Sequence, residues 1–179
     1  TTVLGSTEDW LDVRSRTLAS GEFLTADDDA TGATVAVIGA TTATELFGTT
    51  RVVGQQLTIA VAAFTIVGVL AEAGSSTDGD LDDLVVVPLT TAADTVSGGP
   101  DRDAVSTIYV QAASADQLSA ADQEARALLL NLHDITDAGS ADFSIDSQAS
   151  LVSTATSVYR TLTVLLTGIA GLSLLVGGI

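Results

Sequence analysis

Apolar positions recur along this chain in three rhythms: short β-branched runs, one stretch at helical spacing, and an uncharged tail. The short runs come first. Residues 34–38, Thr-Val-Ala-Val-Ile, end at Gly39 and read as a buried strand. Leu57, Ile59 and Val61 alternate with Thr58 and Ala60, which predicts a half-buried strand. A tight connection near Ala62 and Ala63 then leads into its hairpin partner, Phe64-Thr-Ile-Val-Gly-Val-Leu70. Leu84-Val-Val-Val87 is a further strand, closed by Pro88, with a short helix over residues 89–96 and a break at Gly98-Gly99-Pro100. Thr107-Ile-Tyr-Val-Gln111 and Phe143-Ser-Ile145 read as two more strands.

Helical spacing appears between them. From about Ala115 to Leu132, Leu118, Ala121, Ala125, Leu128, Leu129 and Leu132 share one stripe, which predicts an amphipathic helix. Shorter helices announce themselves by their ends. Thr7-Glu8-Asp9-Trp10 suggests a start with Thr7 as N-cap and Trp10, Leu11 and Val13 turned inward. Thr42-Ala-Thr-Glu45 has the form of a capping box, and Gly48 stands where a helix-ending glycine belongs. Residues 25–33 and 74–83 are polar and turn-rich and read as loops, the second exposed and acidic. Val3-Leu4 fits the end of a strand.

The third rhythm is residues 162–179, an apolar run with no charge, preceded by Tyr159 and Arg160. As a helix rising ~1.5 Å per residue it is about 27 Å long, near the thickness of a bilayer core. Its hydroxyls, Thr163, Thr167 and Ser173, can bond to the carbonyls of their own helix. The reading is a membrane helix continuing, without a breaker, a helix that carries Leu151, Ala155, Val158 and Leu162.

Charge sharpens this picture. The 179 residues hold 23 acids against six arginines and no lysine, a formal charge of -17. Nucleic acid as a partner is excluded, because phosphate needs a basic face. A cytoplasmic juxtamembrane position, where Lys and Arg gather, is disfavoured as well. An acidic domain joined to a span belongs on the extracytoplasmic side. The chain has no Met and reads as a piece of a longer protein; with no Cys it has no disulfides.

Candidate chemistry is thin. His133, the lone histidine, ends a predicted helix, where a capping role suits it. No Gly-x-Ser-x-Gly elbow stands anywhere in the chain, and no Walker lysine is possible. Asp78, Asp80 and Asp82 alternate as in a calcium loop, but Asp83 replaces the required Gly and Leu89 the required Glu. Asp27, Asp28 and Asp29 read as a solvated charge run. No catalytic, cofactor-binding or metal residue is therefore assigned, and no cofactor.

Several runs taken in order resemble a family. They are Val35-Ala-Val-Ile-Gly39 with Glu45-Leu-Phe-Gly48, Val53-Gly54-Gln55, residues 64–70, and Asp82-Asp83 running through Pro88 to Thr91. Ser106-Thr-Ile-Tyr-Val-Gln111, Asp142-Phe-Ser-Ile145, Arg160 to Leu166 and the closing residues 169–179 complete the set. This pattern resembles the periplasmic core domain of MacB-type (FtsX-like) ABC transporter permeases, running into their second transmembrane helix. The resemblance implies an α+β, two-lobed extracytoplasmic domain. Residues 1–19 and 101–150 would form a membrane-proximal α+β lobe, incomplete at its N-terminus, and residues 20–100 a β-rich lobe. Residues 151–179 would be a stalk helix continuing into a transmembrane segment. It further implies a cell-membrane location, a cytoplasmic ABC ATPase and a second permease copy as partners, and no enzyme activity in this chain. Two rival readings are a membrane-anchored extracellular hydrolase using acidic residues and a stalked ligand-binding module.

Overall fold

The computed structural model describes residues 1–76, 79–97 and 104–147, with Thr163, Leu166 and Thr167 beyond them. The chain divides into two compact units, Thr1–Val110 and Gln111–Ile179. The first is built on a mixed sheet. Its strands are β1 (Thr2–Ser6), β2 (Leu18–Gly21), β3 (Val35–Ile38), β4 (Gln56–Ile59), β5 (Ala62–Leu70) and β8 (Leu84–Pro88), while β6 (Ser75–Ser76) and β7 (Gly79–Asp80) make a small separate hairpin. The order is β1-β8-β3-β5-β2, and β4 also pairs with β5. β1 runs parallel to β8 and β3 parallel to β5, whereas β8 is antiparallel to β3 and β5 is antiparallel to β2 and β4.

β3 and β8 read as unbroken apolar runs because both faces of the sheet are covered. On one face Ile38, Phe64, Ile66, Val85 and Val87 pack with Ala43 and Ala92 from helices α3 (Ala40–Phe47) and α4 (Leu89–Ala92). On the other, Val37, Leu70 and Val86 pack with Trp10 of helix α1 (Trp10–Val13) and with Leu24. Each such aliphatic or aromatic side chain contributes about 1.5–3 kcal/mol on burial. Trp10 also stacks on Phe23, ring centroids 6.1 Å apart. At the centre of β5, Gly68 faces the carbonyl of Glu22, and a methyl there would overlap it. The register of β5 against β3 shifts at that point, Ile66 lying opposite Ala36 and Gly68 opposite Val37.

The α+β class follows directly. Several local expectations are corrected. Residues 25–33 are not a loop: Ala26–Thr31 form helix α2, capped by a reciprocal box in which the Thr25 hydroxyl accepts from Asp28 N–H and the Asp28 carboxylate accepts from Thr25 N–H. Asp27, Asp28 and Asp29 sit in its first turn, where the helix dipole favours them. α1 begins at Trp10 with Asp9, not Thr7, as its N-cap. α3 begins at Ala40 behind Gly39, so Thr42 lies inside the helix and is buried. Gly39 takes that place because its backbone presses on the Asp82 carbonyl, leaving no room for a side chain. Gly48 does end α3, at φ 71°. The β4–β5 hairpin turns at Ala60–Val61 and not at Ala62–Ala63, since Ile59 already pairs with Ala62.

In the second unit the amphipathic stretch is helical as expected, a single turn at Ala115–Gln117 leading into α5 (Leu118–Leu132). Leu118, Ala121, Ala125 and Leu129 are half-buried, whereas Leu128 and Leu132 are exposed. The expected strands at residues 107–111 and 143–145 join no ladder among the described residues. Ile108 and Val110 are each 63% exposed. Residues 151–179 lie outside the described residues except for Thr163, Leu166 and Thr167, which are helical, and the Thr167 hydroxyl donates to the Thr163 carbonyl at 2.8 Å. Among the described residues no helix is long and apolar enough to cross a membrane.

Candidate functional site

Of the polar groups that the sequence offered as chemistry, Asp80, Asp82 and Asp83 lie together at one end of the sheet, where β3 and β5 end and β1, β2 and β8 begin. Arg16 enters between α1 and β2, just after Ser15, whose φ of 50° turns the chain back toward the sheet. Its guanidinium donates to the carbonyls of Leu81 (2.9 Å) and Ala71 (3.3 Å) and to Asp82 Oδ1 at 2.7 Å. Both side chains of this ion pair are buried, at 10% and 4% exposure. The Asp82 carboxylate also accepts from the backbone N–H groups of Ala73 and Gly74, the closest at 2.8 Å. The Asp82 N–H in turn donates to Asp80 Oδ1. One arginine and one aspartate thus fasten three connecting segments to each other.

Asp83 stands beside this node. It accepts from the Thr42 hydroxyl at 3.2 Å. Next to the node lies a wide, open groove lined by Thr41, Thr44, Glu45, Glu72, Ser75 and Asp80. It lacks the enclosed, largely apolar lining of a small-molecule pocket.

The alternating acids of the supposed calcium loop therefore part company. Asp82 is a buried ion-pair partner, Asp80 caps its backbone, and Asp78 lies outside the described residues. The loop as expected was exposed throughout; Asp82, at 3% exposure, corrects that. Sequence reading missed Arg16, although an arginine placed between an aromatic-led helix and a strand was the available signal. Among the described residues no three His, Asp or Glu side chains converge to hold a metal. His133 belongs to the second unit. Its Nδ1 lies 2.9 and 3.0 Å from the two oxygens of Asp142, and Phe143 meets its ring edge-on. It follows α5 directly as the helix ends.

This geometry is that of connecting segments fastened to each other. The profile of the MacB-like periplasmic core domain matches residues 1–128. The chain belongs to the MacB-like periplasmic core domain family. The macrolide export ATP-binding/permease protein MacB of Azoarcus sp. is 38% identical over 167 residues, covering 93% of this chain and 24% of that protein. The pyoverdine export ATP-binding/permease protein PvdT of Pseudomonas aeruginosa is 32% identical over 176 residues, covering 98% of this chain and 26% of the relative. The chain thus spans about a quarter of the length of these relatives. In fold it is similar to the periplasmic region of MacB from Actinobacillus actinomycetemcomitans, with a TM-score of 0.60 at 21% identity over 86% of this chain and 64% of that one. The extracellular domain of the ABC-type transporter YknZ from Gram-positive bacteria matches with a TM-score of 0.58 at 22% identity, covering 76% of this chain and 66% of that one.

Proposed function

We propose that this MacB-like core domain is a moving, non-enzymatic part of an ABC exporter, displaced from outside the membrane as a cytoplasmic ATPase closes and opens. The supporting observation is the family match over residues 1–128, joined to relatives named as export ATP-binding/permease proteins along nearly the whole chain. The fastened node suits such a part. Arg16 and Asp82 tie the start of β2, the end of β5 and the start of β8 into one body, so a force applied at any of them moves the sheet as a unit. Residues 151–179 would carry that force as a stalk entering the membrane, with a second copy of the permease beside it and a two-lobed ectodomain above. The ATPase is a fused domain or a separate subunit.

The test uses the full-length protein, paired with its ATPase in lipid. These 179 residues have no cysteine, so Thr49→Cys on the exposed surface, with any cysteine elsewhere in the full-length protein replaced by serine, gives one spin-label site per copy. Distances between the two copies should shift between the nucleotide-free and the ATP-trapped states. A distance distribution unchanged by nucleotide, in a preparation that hydrolyses ATP, would sink the proposal.

A further inference from the structure

We draw no further inference here: the strongest candidate, the exposed apolar run of Val105, Ile108 and Val110 beside the Arg14–Tyr109 contact at the end of helix α1, is a surface patch, and nothing in the structure shows what covers it.

Discussion

Arg16 shows how much one side chain can hold. Its partner Asp82 is satisfied by Arg16 and by two backbone N–H groups, so removing either charge leaves the other buried and unpaired. Arg16→Ala and Asp82→Asn should each lower stability in urea by about 3–5 kcal/mol, while Arg16→Met with Asp82→Leu should cost less than the sum of the two. Additive losses would show that the pair does not act as a unit. The acids were visible in the sequence as a charge run. Their partners were not, because Arg16 and Asp82 meet across a fold that brings the end of one strand to the start of another.

Among the elements, the core strands were legible and the helix starts were not. Val35–Ile38 and Leu84–Pro88 declared themselves by unbroken apolar composition, since a strand buried on both faces needs no polar alternation. α2 escaped because its six residues, Ala26–Thr31, are nearly all polar and bury none, so periodicity had nothing to register. Its stability lies in its ends, with the Thr25–Asp28 box at one and Gly32 in the left-handed region at the other. Thr25→Ala should cost about 1 kcal/mol in a denaturation experiment. It should also loosen the contact that α2 makes with α4 through Asp29, whose carboxylate accepts from Thr90 N–H at 2.9 Å. An unchanged midpoint would mean that the cap carries no weight. Residues 107–111 and 143–145 have strand composition and no ladder among the described residues, because β propensity records what a segment can do beside a neighbour and supplies no neighbour.

For the whole molecule, the family was readable from the order of many weak blocks, none sufficient alone. The apolar tail makes a prediction at this scale. Sedimentation of the chain with and without residues 162–179 should show detergent-dependent association only when the tail is present, because Leu, Ile and Val there have no charged residue to offset them. Two monodisperse monomers without detergent would refute the membrane reading. The parallel ladder of β1 and β8 bears on when the fold can exist at all. Thr2 lies opposite Leu84, and β8 is also the strand that joins β1 to β3. During synthesis Thr2–Ser6 therefore emerges with no mate, and the ladder cannot close until Leu84–Pro88 has followed. Contacts so distant along the chain form slowly. In the export reading proposed above, that delay would keep the leading polypeptide open until the segment that completes the sheet has followed it.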